Sequence, residues 1–140
     1  MPKKLGAPQR TAIKRTAISA PTRELQNRGL LVGRVLDYGC GYGEDAREFG
    51  FEVYDPYFFP RIPEGKFDTI ICNYVLNVVP KEVQNWIVRD IERRLNPNGF
   101  AYLTVRRDLN GNEETQRIVR LKLPVLTENN GYCIYETWRN

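Results

Sequence analysis

Apolar residues recur along this chain at two spacings, one typical of helices and one typical of strands. Val83, Trp86, Ile87, Ile91 and Leu95 fall on one face of a helix that begins after Pro80, because side chains three or four residues apart share a helix face. Strands are predicted at 34–37, 51–54, 67–72 and 100–105. The near-continuous apolar run at 67–72 is typical of a strand buried on both faces of a parallel sheet.

Turn-forming residues separate these segments and predict the remaining elements. Ser19 as N-cap, Pro21 and Gly29 delimit a short helix over 20–28. A second helix is predicted over 44–49, with two acids in its first turn. The sequence Asn96-Pro-Asn-Gly99 is a turn that ends the long helix.

The C-terminal third follows a different pattern. Segments 119–126 and 132–138 have the pattern of two strands joined by Glu128-Asn-Asn-Gly131, which predicts an antiparallel hairpin at the sheet edge. The whole order of elements predicts an α/β fold with a mostly parallel sheet, helices on both faces and this antiparallel hairpin at its C-terminal end.

Length and composition favour one soluble domain. The chain has 140 residues and is 41% hydrophobic, with no apolar run near the ~20 residues that span a bilayer. Residues 1–18 form a basic arm that contains Arg10-Thr-Ala-Ile13 and then Arg15-Thr-Ala-Ile18, and 19–140 form the domain. The arm is interpreted either as a surface segment or as a strap that presents Lys14 and Arg15 to an anionic ligand. No secretory signal follows Met1, so we expect a cytoplasmic protein that does not associate with membranes.

The absence of histidine and the spacing of the cysteines exclude several kinds of chemistry. Without histidine there is no Ser-His-Asp triad, no Cys-His pair and no histidine-ligated metal. Cys40, Cys72 and Cys133 form no Cys-x-x-Cys pair, so we predict no disulfide framework and no metal site, and we interpret them as small buried apolar residues. The formal charge of +4 is compatible with an anionic partner such as nucleic acid.

The segment Asp37-Tyr-Gly-Cys-Gly-Tyr-Gly43 carries the strongest chemical signal. A predicted strand ends at Asp37, and three glycines then turn the chain into a helix, so a ligand can approach the backbone closely. The spacing differs from the dinucleotide fingerprint, and no phosphate-binding Gly-Lys-Ser/Thr sequence is present. Because Asp37, Glu44 and Asp45 make the turn acidic, it suits an ammonium and a sulfonium better than a polyphosphate.

This motif resembles the first motif of the class I S-adenosylmethionine-dependent methyltransferases, which have a Rossmann-like fold. The resemblance covers roughly 30–107 and implies that the backbone of Gly39, Cys40, Gly41 and Gly43 lies against the methionine part of S-adenosylmethionine. It implies that Asp37 holds the amino group of that cofactor.

Three further segments continue the resemblance. Asp55 lies 18 residues after Asp37, close to the ~20 residues at which an acid meets ribose hydroxyls in related folds, and Pro56 and Tyr57 would flank the adenine. Segment 67–77 resembles the family's fourth motif and implies that Asn73 and Tyr74 lie at the active site. Leu95-Asn-Pro-Asn-Gly-Phe100 resembles a helix-to-strand turn of the family, with Asn98 in place of a glycine.

One departure from the family is clear in the sequence. The family usually inserts a helix, a third strand and another helix between the positions of Asp55 and Phe67, but 56–66 is too short for that unit. The third-strand unit is therefore predicted to be absent. Either the aromatic segment Tyr57-Phe58-Phe59 replaces its adenine contact, or the cofactor is bound weakly.

The acceptor of the methyl group is less defined. The candidate substrate contacts are Arg15, Asn77, Arg106, Arg107 and Asp108. Arg106 and Arg107 are interpreted either as anion contacts or as a solvated charged turn, and no catalytic base is assigned. The basic arm and these arginines favour a nucleic-acid acceptor slightly over a small molecule. The alternatives are a non-catalytic cofactor-binding subunit that supports a protein partner, and a nucleic-acid-binding module on the same fold.

Overall fold

The computed structural model describes residues 18–138, which form a six-stranded sheet with the order β2-β1-β3-β4-β6-β5. The helices are α1 (Ala20–Asn27), α2 (Glu44–Phe49) and α3 (Lys81–Arg93). The strands are β1 (Val35–Tyr38), β2 (Glu52–Tyr54), β3 (Phe67–Asn73), β4 (Leu95–Arg106), β5 (Val125–Glu128) and β6 (Tyr132–Glu136). The basic arm, including Lys14 and Arg15, lies outside the described residues apart from Ile18.

The sheet is parallel over four strands and antiparallel at one end. β1 pairs in parallel with β2 and β3, and β3 pairs in parallel with β4. β6 runs antiparallel to both β4 and β5. The predicted α/β fold with an antiparallel C-terminal hairpin is confirmed.

Helices cover opposite faces of this sheet, as predicted. On one face, Val83, Ile87 and Ile91 of α3 pack against the central strands, which is the face that their helical spacing selects. On the other face, Leu25 of α1 packs in a smaller cluster with Ile71, Tyr102 and Ile134. We refer to these as the α3 face and the α1 face.

Two strands begin several residues away from their predicted starts. β4 begins at Leu95 rather than at 100, because Leu95 already pairs with Phe67 before a register shift in β3. The predicted turn at 96–99 is therefore extended, and Asn98 does not take up the positive φ that a replaced glycine would suggest, since Tyr74 is the only such non-glycine residue in the described range. β5 begins at Val125, immediately after Pro124, which lacks the N–H that a strand interior needs.

The third-strand unit is absent from the described residues, as predicted, and β2 therefore lies at the edge of the sheet. Residues 56–66 form turns and bends without a strand or helix. A backbone bridge closes the first of these turns, since the N–H groups of Asp55 and Phe59 each donate to the other residue's carbonyl oxygen, at 2.9 and 3.0 Å. Within 18–138, no helix combines the length and the apolar character needed to cross a bilayer.

Candidate functional site

The glycine turn lies where β1 and β2 end side by side. Asp37, the second-last residue of β1, is 4% exposed. Gly39, Gly41 and Gly43 have φ angles of 80°, 58° and 81°, a region that glycine adopts without steric cost. The N–H groups of Gly39 and Cys40 both donate to the carbonyl oxygen of Tyr54, at 2.6 and 3.1 Å, so the turn is fixed to the end of β2.

Position 39 requires a glycine for two reasons: its backbone conformation, and the lack of space for a Cβ atom. A Cβ on Gly39 would lie 2.3 Å from Cγ2 of Val75, which follows β3. A Cβ on Gly43 would lie 3.3 Å from the ring of Phe59. The turn is therefore packed closely against the segments after β3 and β2, and its first glycine has no room for a side chain.

Asp55 joins the glycine turn to the aromatic turn that follows β2. Its Oδ2 accepts a hydrogen bond from the N–H of Gly41 at 2.9 Å, and its Oδ1 accepts from the N–H groups of Tyr57 and Phe58 at 2.9 and 3.1 Å. A carboxylate offers about four acceptor positions, so these three bonds leave capacity for a ligand hydroxyl. This structural role of Asp55 was not apparent from the sequence.

Aromatic side chains surround the turn at the open edge of the sheet. The rings of Tyr42 and Phe58 lie 4.5 Å apart, and Tyr57 packs edge-on to Phe58 at 4.8 Å. Tyr57 is 63% exposed, and Pro56 is half-buried at the start of the turn. The sequence predicted aromatic residues here, but it gave no reason to include Tyr42 from the glycine turn.

Cys40 is not suited to act as a nucleophile. Burial raises the pKa of its thiol, and the nearby carboxylates of Asp37 and Asp55 raise it further. Since the thiolate is the reactive form, Cys40 remains a neutral side chain within the turn. Cys72 and Cys133 are buried in strands, as predicted for small apolar residues.

A buried hydrogen-bond network connects α1 to the site, and no sequence pattern indicated it. Asp45 accepts from the backbone N–H and the hydroxyl of Ser19, at 3.0 and 2.5 Å, and from the hydroxyl of Thr22 at 2.7 Å. Ser19 occupies the N-cap position, but its side chain bonds to Asp45 and does not cap the helix. Asp45 therefore links α2 to α1, and its carboxylate is buried among these donors.

Asn73 and Tyr74 lie at the end of β3. The amide nitrogen of Asn73 donates to Thr22 Oγ1 at 2.8 Å, and its Oδ1 is buried without a hydrogen-bond partner. Tyr74 has a φ of 62° and its N–H donates to the carbonyl oxygen of Thr104 at 2.8 Å. A non-glycine residue in this conformation is uncommon and occurs preferentially at functional sites.

Asn77 was predicted as a candidate substrate contact, but its side chain is buried and bonds to the backbone. Its side chain is fully buried; Nδ2 donates to the carbonyl oxygen of Arg117 at 2.7 Å, and Oδ1 accepts from the N–H of Arg106 at 2.8 Å. The Arg106 guanidinium forms two hydrogen bonds of 2.8 Å with Asp108. This pairing raises the pKa of Arg106 and lowers that of Asp108.

Arg107 is neither an anion contact nor a solvated residue. Its side chain is 8% exposed and pairs with Glu128. It also donates to the carbonyl oxygen of Val119 at 2.8 Å and to the hydroxyl of Tyr135 at 2.6 Å. Because Arg107 and Arg106 are both bound to acids, the nucleic-acid interpretation loses the support that these two residues gave it.

Below the glycine turn, on the α3 face, a buried polar pair supports the end of β1. The hydroxyl of Tyr38 donates to Asp90 of α3 at 2.7 Å, and the ring of Tyr38 packs edge-on to Tyr54 at 5.1 Å. Burial alone would raise the pKa of Asp90, but hydrogen bonds from Tyr38, Arg94 and Arg93 lower it. Among the described residues, no cluster of three potential metal ligands is present.

Comparison with known proteins agrees with this architecture. A family model described as a methyltransferase domain matches residues 10–137. An uncharacterised protein from Rickettsia prowazekii strain Madrid E is 48% identical over 40 residues, which cover 29% of this chain and 16% of that protein's length. The structure of magnesium protoporphyrin IX methyltransferase from Synechocystis PCC 6803 with bound SAH has a TM-score of 0.59 at 16% identity, covering 94% of this chain and 83% of that one.

A second solved structure aligns over nearly all of both chains. The DhpI–SAH complex has a TM-score of 0.61 at 15% identity and covers 95% of this chain and 93% of that one. At these identities the similarity is one of fold, whereas the family model spans most of the sequence. The resemblance predicted from the glycine turn is thus confirmed: the chain belongs to the methyltransferase-domain family and has the fold of the class I S-adenosylmethionine-dependent enzymes.

Proposed function

We propose that this chain binds S-adenosylmethionine in the crevice between the glycine turn and the ends of β2 and β3, and that it transfers the methyl group to a small polar acceptor. The observation that carries the proposal is the preformed link between the two turns. Asp55 fixes the glycine turn and the aromatic turn to each other through three backbone hydrogen bonds. When a site is already ordered in the free protein, less free energy is lost in ordering it on binding.

The residues present fit this cofactor. Asp37 is a carboxylate buried near the end of β1, which suits an ammonium group. Asp55 keeps acceptor capacity for ribose hydroxyls. The neighbouring rings of Tyr42 and Phe58 offer aromatic surface for a purine.

The protein's contribution is to bind and orient. S-adenosylmethionine supplies, when bound, an electrophilic methyl group on a sulfonium, so the chemical reactivity belongs to the cofactor. The closely packed glycine turn fixes one side of the crevice, and Asn73 and Tyr74 at the end of β3 fix the other. Holding the two reactants in the correct geometry removes much of the entropic part of the barrier. We assign no catalytic base to this chain.

Similar proteins support the cofactor but do not identify the acceptor. Both solved structures described above contain bound SAH. The structure of the glycopeptide N-methyltransferase MtfA, complexed with S-adenosylmethionine, has a TM-score of 0.53 at 15% identity and covers 73% of this chain and 55% of that one. A small acceptor is favoured over nucleic acid because both arginines next to the site are bound to acids. Phosphate recognition uses available cationic side chains.

Calorimetry with S-adenosylhomocysteine, and transfer from methyl-labelled S-adenosylmethionine to a cell extract, test the proposal. We expect binding by the wild-type chain, and label in the low-molecular-weight fraction rather than in nucleic acid. Asp37→Asn should weaken binding by about tenfold or more, since it removes a buried charge next to a cationic ligand. Glu48→Gln, an exposed acid on α2, is the matched control and should change affinity by less than about twofold.

Two results would contradict the proposal. A folded wild-type chain that gives no heat and no thermal shift at millimolar S-adenosylhomocysteine would reject the cofactor site. Equal affinities for Asp37→Asn and Glu48→Gln would reject the assignment of Asp37.

A cofactor-binding subunit without activity of its own is the second candidate. It is favoured by the edge position of β2, a strand of three residues that the absent third-strand unit leaves unpaired on one side within the described range. Such a chain would bind S-adenosylhomocysteine but transfer no label to any fraction. Addition of its partner protein would then restore transfer.

A further inference from the structure

Asn73 is held in one orientation by residues far away in the sequence. The carboxylate of Asp45 accepts from the hydroxyl of Thr22 at 2.7 Å. The hydroxyl of Ser19 lies within hydrogen-bonding distance of both Asp45, at 2.5 Å, and Thr22, at 2.9 Å. Because the single proton of Thr22 is used in this way, its Oγ1 acts as an acceptor towards Asn73, at 2.8 Å. The amide nitrogen of Asn73 therefore points to Thr22, and its Oδ1 points away from it.

A second unsatisfied polar atom lies on the neighbouring strand, at the position in register with Asn73. Thr104 on β4 is directly in register with Asn73 on β3, and neighbouring strands lie about 4.8 Å apart. Thr104 is completely buried, and its Oγ1 has no hydrogen-bond partner. The two atoms do not bond to each other, so they form a pair of adjacent, unused hydrogen-bonding groups.

The pair lies on the same side of the sheet as Asp37. Thr104 follows Tyr102 by two residues, and Asn73 follows Ile71 by two residues; Tyr102 and Ile71 belong to the α1-face cluster, and alternate residues of a strand share a face. Asp37 is in register with Ile71. The pair therefore lies beside the proposed cofactor site, displaced by one strand away from the adenine end.

Buried polar groups in folded proteins nearly always have partners, so each exception calls for a reason. A threonine hydroxyl inside an otherwise apolar strand lowers stability when it is unsatisfied. Valine has almost the same shape and would avoid this cost. The presence of threonine rather than valine at 104 is explained if its hydroxyl binds a ligand.

We propose that Asn73 Oδ1 and Thr104 Oγ1 form the binding subsite for the methyl acceptor, and that the acceptor presents an N–H or O–H group there. This inference rests on the proposed function and specifies its substrate class. Asn73 Oδ1 can only accept, so the ligand atom facing it carries a hydrogen. Thr104 can donate to a lone pair of the same group. A hydroxyl or an amino group satisfies both atoms, whereas a carboxylate or phosphate oxygen would face the lone pairs of Asn73.

The experiment compares wild type with Thr104→Val, which keeps the shape and removes the hydroxyl, and with Thr104→Ser, which keeps the hydroxyl. Three quantities are measured for each: the thermal midpoint without ligand, the affinity for S-adenosylhomocysteine, and the rate of label transfer to the small-molecule extract. We expect Thr104→Val to melt higher than wild type and to keep its S-adenosylhomocysteine affinity within about twofold. Its transfer rate should fall by about tenfold or more, since the acceptor group loses the hydrogen bond that Thr104 donates, and Thr104→Ser should restore transfer.

Each other outcome has a definite meaning. A lower thermal midpoint for Thr104→Val would overturn the proposal, because the hydroxyl would then already be satisfied in the free protein. Unchanged transfer would also overturn it, and a large loss of S-adenosylhomocysteine affinity would assign the hydroxyl to the cofactor instead. A wild-type chain that does not bind S-adenosylhomocysteine would reject the proposed function itself, which separates that failure from a failure of this subsite.

Discussion

Replacing Gly39 by alanine tests how tightly the glycine turn is packed. The residue has a φ of 80°, and an added Cβ would lie 2.3 Å from Cγ2 of Val75. Two separate costs follow, one from the backbone conformation and one from the contact. Gly50, at the end of α2, offers a matched control, because its φ is 76° but no atom lies within 4 Å of the position of a Cβ.

The two costs can be estimated separately. A left-handed conformation costs a non-glycine residue about 1–2 kcal/mol, and overpacking by one methyl group costs about 1–3 kcal/mol. We therefore expect Gly39→Ala to lower the free energy of unfolding by about 2–5 kcal/mol, and Gly50→Ala by about 1–2 kcal/mol. The total free energy of unfolding of a folded domain is about 5–15 kcal/mol, so the Gly39→Ala variant should still fold.

Urea unfolding followed by tryptophan fluorescence measures these differences, provided that the m-value does not change. In a Val75→Ala background the cost of Gly39→Ala should fall to that of Gly50→Ala, because the contact has been removed. S-adenosylhomocysteine affinity should fall in Gly39→Ala and not in Gly50→Ala. If Gly39→Ala and Gly50→Ala lower the free energy of unfolding equally in the wild-type background, the close approach of Val75 to the turn is contradicted.

Three further predictions concern the polar contacts around the site. Asp55→Asn should lower S-adenosylhomocysteine affinity by about tenfold, because an amide keeps one oxygen for the aromatic turn but presents a donor to the N–H of Gly41. Arg107→Met should lower the free energy of unfolding by about 2 kcal/mol without changing that affinity, since Arg107 holds the C-terminal hairpin. Asp90→Asn should flatten the acid dependence of stability: the folded-state pKa of Asp90 is lowered, so its contribution is present above the unfolded pKa of about 3.9 and is lost as the pH falls through the folded value.

Each of these predictions has an opposing result. Wild-type affinity in Asp55→Asn, measured by calorimetry, would show that the link to Gly41 is dispensable. A changed S-adenosylhomocysteine affinity in Arg107→Met would show that Arg107 contributes to the ligand site. Parallel curves of unfolding free energy against pH for wild type and Asp90→Asn, recorded from pH 7 into the acid range, would contradict the role of Asp90.

The sequence was sufficient to predict most of the sheet. Buried parallel strands consist of apolar residues on both faces, so β3 was predicted to within one residue of its end. The glycine turn was predicted because three closely spaced glycines after a strand allow a sharp turn and a close approach to the backbone. β4 was predicted to start too late, since Asn96-Pro-Asn-Gly99 has the composition of a turn, while pairing with Phe67 keeps it extended.

The polar contacts of the site could not be predicted in the same way. Thr22 bonds to Asn73 across 51 residues and to Asp45 across 23, and no local pattern encodes such contacts. Arg107 stands in a charged segment that is typical of a solvated turn, but its side chain is buried by the hairpin. For Asp55 the residue was predicted, but its bonds to the backbone depend on how two distant turns meet.

The rim position of β2 has a consequence for the dynamics of the site. Both anchoring hydrogen bonds from Gly39 and Cys40 end on Tyr54, the last residue of a three-residue strand that has a neighbour on one side only within the described range. Peripheral strands of this length open more readily than central ones. Fraying of β2 would release the glycine turn that we propose binds the cofactor, so S-adenosylhomocysteine affinity and hydrogen-exchange protection of this strand should rise and fall together.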